Sequence, residues 1–179
     1  MNVINYLIAS ELFVLILVIG LDIGSSISMS LLTQGYLGIV IAATSLLGSS
    51  VSGLILHYLV GIPLAASLGG VSMGGMGGWY SLAGPPLLSV RFGPAVGTLA
   101  FLANFLREQL TYLLIPPLIV IAGFRDVSLV SIGGATSMDD TLPIYRLYMG
   151  ETGGFIAFIN GFVITMILPE LLPYVITIK

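Results

Sequence analysis

The residues of this chain that could do chemistry are few, and most of them lie inside apolar runs. Asn104, Arg107, Glu108 and Thr111 follow one another at i, i+3, i+4 and i+7, so a helix there presents one polar face. Arg107 and Glu108 are sequence neighbours and cannot pair well with each other on a helix, so each needs a partner from elsewhere. Asp139 and Asp140 lie in Gly133-Gly134-Ala135-Thr136-Ser137-Met138-Asp139-Asp140-Thr141-Leu142-Pro143, with glycines before them, a proline after them and hydroxyls around them. At a helix break, freed N–H groups can hold a carboxylate, and freed carbonyls with acidic side chains can hold a cation. Glu11 stands near the middle of the first apolar run, and Asp22 follows about 1,100° further round the helix, close to the same face. Asp22 reads as a solvated helix end. Glu11 is expected to face a partner chain or to pair with Arg107. The plainer reading of Arg107 is a structural ion pair, and that of Asp140 is a helix cap, more so than for Asp139. Glu170 and His57 read as interfacial, and Trp79 and Tyr80 as pocket-lining or packing residues.

These acids matter because so little else is charged. The chain has 179 residues, 57% apolar and only 7% charged, against about 25% charged in soluble domains. A soluble surface cannot be covered with so few charges without apolar patches that monomers do not tolerate. The mean hydropathy of +1.12 agrees. The composition therefore predicts an all-α, polytopic integral membrane protein, in which a central ionisable residue costs at least ~2.5–3.5 kcal/mol and usually faces protein or water. The 23 Gly and 9 Pro predict broken or re-entrant helices within the bilayer. With net charge −3 and no basic patch, nucleic acid is not expected as a partner. No Cys and one His leave no thiol chemistry and no His cluster for a metal. No nucleophile–base pair or ligand set can be assembled, so an enzyme is the weakest reading, and no cofactor or metal is expected. An interior with more acid than base suits a cationic or zwitterionic solute, and a carboxylate placed there can also exchange a proton.

The elements that must position these residues form one expected transmembrane domain over 1–179. Spans are expected at about 3–21, 37–60, 94–122 and 152–177, with broken segments at about 61–93 and 128–146. The first run lacks a basic leading region and reads as a retained helix rather than a signal peptide. Ser45, Ser49, Ser52 and Gly53 recur at helical spacing, as at a close helix contact. Arg91, Arg125, Arg146 and Lys179 are too few to orient the chain. Gly77-Gly78-Trp79-Tyr80-Ser81 echoes Gly133-Gly134-Ala135-Thr136-Ser137 at an offset of 56, and the same offset maps Asn104 onto Asn160. Either this is chance similarity between Gly-rich segments, or it is an internal repeat. A repeat predicts that 74–86 and 133–143 approach each other near mid-membrane about a pseudo-two-fold axis.

Several of these segments together resemble the lysine exporter LysO family. The resemblance rests on Gly78-Trp79-Tyr80-Ser81-Leu82, Phe92-Gly93-Pro94, Asn104 with Arg107-Glu108, Gly153-Gly154, Ala9-Ser10-Glu11 and, most specifically, Gly134-Ala135-Thr136-Ser137-Met138-Asp139 with Thr141-Leu142-Pro143. It covers nearly the whole chain. It implies a multi-pass inner-membrane exporter of L-lysine and its analogues, driven by proton exchange, with Glu108 and Asp139 as the intramembrane acidic pair. Two positions depart from the family pattern: Phe105 stands where an Asp is common, and Asn160 where a His is common. On this reading Glu108 and Asp139 handle the proton and the substrate ammonium. Main-chain N–H groups near Gly78 and Gly134 hold the carboxylate. Asn104, Arg107, Ser81, Thr136, Ser137, Asp140, Asn160 and Glu11 support them. Longer family members carry further helices upstream of Glu11, so the working unit is expected to be a homodimer or to include a small companion membrane subunit. The alternatives are a transporter of another small cationic or zwitterionic solute, and a non-transporting membrane scaffold.

Overall fold

The computed structural model describes residues 28–68 and 84–178, together with 10, 11, 13, 14, 17, 18, 20–22, 24 and 25. The chain divides into two compact units, Met1–Thr33 and Gln34–Lys179. In the first unit the described residues from 10 to 25 are helical, and Glu11 is exposed on that segment. Most of the expected 3–21 span lies outside the described residues. So do Gly78, Trp79, Tyr80 and Ser81, and with them 74–83 of the first segment of the expected repeat.

Four longer helices carry the rest: α1 (Met29–Val60), α2 (Gly84–Phe92), α3 (Pro94–Val120) and α4 (Leu142–Val175). No strand occurs among the described residues. α1 starts eight residues before the expected span at 37. Ser28 accepts from the Leu31 N–H at its start, and Thr33 hydrogen-bonds back to the Ser30 carbonyl within the helix. With 32 residues, α1 is about 48 Å long. α1 and α4 are each long and apolar enough to cross a membrane. α4 is interrupted at Gly150 (φ 72°, ψ −170°), where Arg146 bridges the interruption to Glu151 at 2.7 Å. The chain is thus already helical from Leu142, inside the segment expected to be broken as far as 146.

Between α3 and α4 the helical pitch changes twice. A 3₁₀ turn (Val127–Leu129), one α-helical turn (Val130–Gly133) and a second 3₁₀ turn (Gly134–Met138) follow one another. Asp126 caps the first of these, accepting from the Ser128 N–H at 2.8 Å, and hydrogen bonding from the Ser128 hydroxyl, then from this N–H, holds its carboxyl below the ordinary range. The break falls at Gly134, with φ 54° and ψ −134°, a conformation that residues with a Cβ rarely adopt.

Each long helix buries one stripe. On α3 it is Gly97, Ala100, Asn104, Thr111, Ile115 and Ile119, at steps of three, four and seven. The opposite side exposes Phe101, Leu102, Phe105, Leu106 and Leu113. On α4 the stripe includes Ala157, Asn160, Gly161, Ile164, Leu168 and Leu172. Ile164, Leu168, Leu172 and Val175 pack with Ala42 of α1, Leu68 and Ala135 of the broken stretch. The broken stretch lies so close to α4 that a Cβ on Gly161 would stand 2.5 Å from both the Ala135 carbonyl oxygen and the Met138 nitrogen. Among lipid tails, helices gain little from burying apolar surface against one another. Close packing and interhelical polar bonds do that work instead.

Candidate site at the Gly133–Gly134 break

Interrupting a helix frees main-chain groups that water would satisfy on a soluble surface. In hydrocarbon they need protein partners. Here Arg107 of α3 supplies one side. Its guanidinium donates to the Gly133 carbonyl, reaches the Ile132 carbonyl at 3.4 Å, and donates to Asn104 Oδ1 at 2.8 Å. A cation at the C-terminal end of the Val130–Gly133 turn also faces the negative end of its dipole. Thr136 adds a 2.8 Å bond to the Gly133 carbonyl.

Asn160 of α4 supplies the other side. Its Nδ2 donates to the Gly134 carbonyl at 3.0 Å and to Ser137 Oγ at 2.9 Å. Ser137 Oγ in turn lies 2.6 Å from the Ala157 carbonyl and 2.8 Å from that of Gly134, donating to one at a time. Asn104, Ser137 and Asn160 have no exposed surface at all. Two asparagines that share an offset of 56 in the sequence thus stand on either side of one break, Asn104 through Arg107 and Asn160 directly.

The acids lie just beyond. Asp139 is half-buried and Asp140 exposed. Asp139 Oδ1 accepts from the Asp140 N–H at 2.7 Å, and no side chain caps the start of α4. Glu108 is half-buried on α3, within electrostatic reach of both aspartates, and Asp139 is within reach of Arg107. Glu108 thus lies within electrostatic range of Asp139 and Asp140, and Tyr112, one turn further along α3, donates to the Asp140 carbonyl. Among the described residues no three His, Cys, Asp or Glu are placed to share a metal ion.

Other residues take positions that spacing alone leaves open. The Gly134 N–H bonds back to the Ser131 carbonyl, so it is engaged within the chain rather than turned toward a ligand. Thr111 directs its hydroxyl to the Arg107 carbonyl of its own helix. Tyr145 and Tyr112 also engage main-chain carbonyls around the break. Buried Tyr145 reaches the Leu129 and Val130 carbonyls at 3.3 and 3.4 Å, and Tyr112 donates to the Asp140 carbonyl. No residue-type pattern marks them, because their partners are main-chain groups. Glu11 belongs to the first unit.

The Asn160 bonds should be measurable. Asn160→Ala leaves the Gly134 carbonyl buried without this donor, and the expected loss of stability is about 1–3 kcal/mol. Thermal unfolding in detergent reads it, and a variant as stable as the wild type would mean that the break is held without Asn160.

Comparison with known proteins gives the family of the chain. The family model described as "Lysine exporter LysO" matches residues 1–176. "Lysine exporter LysO" of Escherichia coli (strain K12) is 32% identical over 173 residues, which cover 93% of this chain and 54% of that relative. A "Putative lysine exporter" of Haemophilus influenzae is 31% identical over 169 residues, covering 92% of this chain and 83% of that protein. The chain thus spans about half the length of the Escherichia coli relative. No solved structure matches it. An all-helical membrane protein whose sequence fits the family model along almost its whole length, this chain belongs to the lysine exporter LysO family.

Proposed function

We propose that this chain is a multi-pass inner-membrane transporter that exports L-lysine in exchange for protons. The observation that carries the reading is the grouping of Glu108 with Asp139 and Asp140 at a helix break whose main-chain groups are held by Arg107 and Asn160. The names of the two relatives support lysine as the solute.

A carboxylate that can bind an alkylammonium group can also bind a proton, and the two compete for the same lone pairs. Arrival of the ammonium expels the proton, and arrival of the proton releases the ammonium. That competition is what coupled exchange requires. One proton moving down a difference of one pH unit supplies about 1.4 kcal/mol, enough to sustain a tenfold gradient of solute. Glu108 and Asp139 take these roles on this reading, with Asp140 at the exposed mouth. Arg107 keeps the break in place through its bonds to the carbonyls that end the Val130–Gly133 turn.

The test is efflux of L-lysine from loaded vesicles, with and without a pH gradient. Asp139→Asn and Glu108→Gln are each expected to abolish export while the folded protein remains in the membrane. Normal export by either variant would remove that residue from the mechanism.

The working unit on this reading contains more than one chain, as a homodimer or with a small companion membrane subunit. Support comes from Glu11, a carboxylate exposed on an apolar helical segment, which would cost several kcal/mol if it faced lipid. The mass of the gently extracted complex is expected to exceed that of one copy. A lone copy exporting lysine from reconstituted vesicles would contradict it.

A further inference from the structure

Arg107 also borders a second space, which none of the three acids lines. It is a cavity of about 420 Å³ between α1, α3 and the Val130–Gly133 turn, lined by Thr44, Ser45, Gly48, Ser49, Arg107, Ser131 and Ile132. Its volume is within the roughly 300–1,000 Å³ usual for small-molecule sites. Four hydroxyls and a guanidinium line it, with no carboxylate, so its polarity is opposite to that of the acidic group beyond the break. Ser45 Oγ is buried with no hydrogen-bond partner. A Cβ placed on Gly48 would meet no atom within 4 Å, so the space is open on the α1 side.

Such a lining matches one kind of ligand group. A carboxylate only accepts hydrogen bonds, and it is held best by N–H and O–H donors that include a cation. Left without them at low dielectric, it is expensive to bury. The Gly134 N–H, an alternative donor at the break, is already bonded to the Ser131 carbonyl. We propose that this cavity receives the α-carboxylate of the transported amino acid, with Ser45 and Ser131 donating to it beside Arg107. The assignment rests on the export reading above. It separates the two ends of the substrate, with the carboxylate on the Arg107 side and the side-chain ammonium toward Glu108 and Asp139.

Calorimetric titration of the purified full chain with three probes tests this: L-lysine, L-lysinamide, which lacks the carboxylate charge, and L-norleucine, which lacks the ε-ammonium. L-Lysinamide is expected to bind at least tenfold more weakly than L-lysine. Gly48→Leu fills the cavity from a helical position where a side chain favours the helix, so the fold should persist while L-lysine binding is lost. Ser45→Ala should weaken L-lysine several-fold and leave L-lysinamide unchanged. Equal binding of L-lysine and L-lysinamide would overturn the proposal, as would wild-type lysine affinity in Gly48→Leu, or no binding of any probe. L-Norleucine binding as tightly as L-lysine would instead remove the ammonium role of the acids and leave the carboxylate cavity standing.

Discussion

The hydrogen bonds from the Arg107 guanidinium to the carbonyls that end the Val130–Gly133 turn are the constraint on which the rest of this structure depends. A helix interrupted among lipid tails leaves carbonyls that no water can satisfy, and each unsatisfied one costs several kcal/mol. A cation at that point does two things at once: it satisfies the oxygens, and it offsets the charge of nearby acids. Asn160 answers the same need from the other side, at the Gly134 carbonyl. With both in place, the chain can leave the helix at Gly134, run close against Gly161 of α4, and bring Asp139 to the same region as Glu108. Replace either holder with an apolar group, and buried carbonyls would favour another path for the backbone.

Adjacent residues of opposite charge on α3 gain their meaning from this geometry. About 100° of helix rotation separates Arg107 from Glu108. Arg107 therefore turns to the carbonyls of the break and to the hydroxyl-lined cavity against α1, while Glu108 feels Asp139 and Asp140. A zwitterionic solute with a second ammonium has this same order of charges along its length. The proposed export of lysine uses that order, and a solute lacking either end would leave one side of the site unmatched.

The sequence carried the positions of the polar groups better than their partners. Spacing at 104, 107, 108 and 111 marks a polar helical face, and on α3 Asn104 and Thr111 are indeed fully buried. Gly133-Gly134 marks the break, because few other residues adopt the backbone found at Gly134. The partner of Arg107 was harder to read. A cation in an apolar helix calls for an acid, yet what it holds includes main-chain carbonyls, and freed carbonyls leave no trace in residue types. The same reason hides Tyr112 and Tyr145. It also explains the Gly134 N–H, which spacing offers to a ligand and the short turn engages with Ser131. Ser45 and Ser49 read as helix-packing residues. Only the course of the chain past Arg107 puts them along a cavity.

On the proposed reading Glu108 and Asp139 form one exchange site, shared by proton and ammonium. Labelling with a hydrophobic carbodiimide, which attacks protonated carboxyls in apolar surroundings, tests it most directly. Modified residues can be located by mass spectrometry after proteolysis. Both Glu108 and Asp139 are expected to be labelled in the absence of solute, L-lysine to protect both over the same concentration range, and L-norleucine to protect neither. Labelling of the two residues that L-lysine leaves unchanged, or protection of one without the other, would contradict this reading.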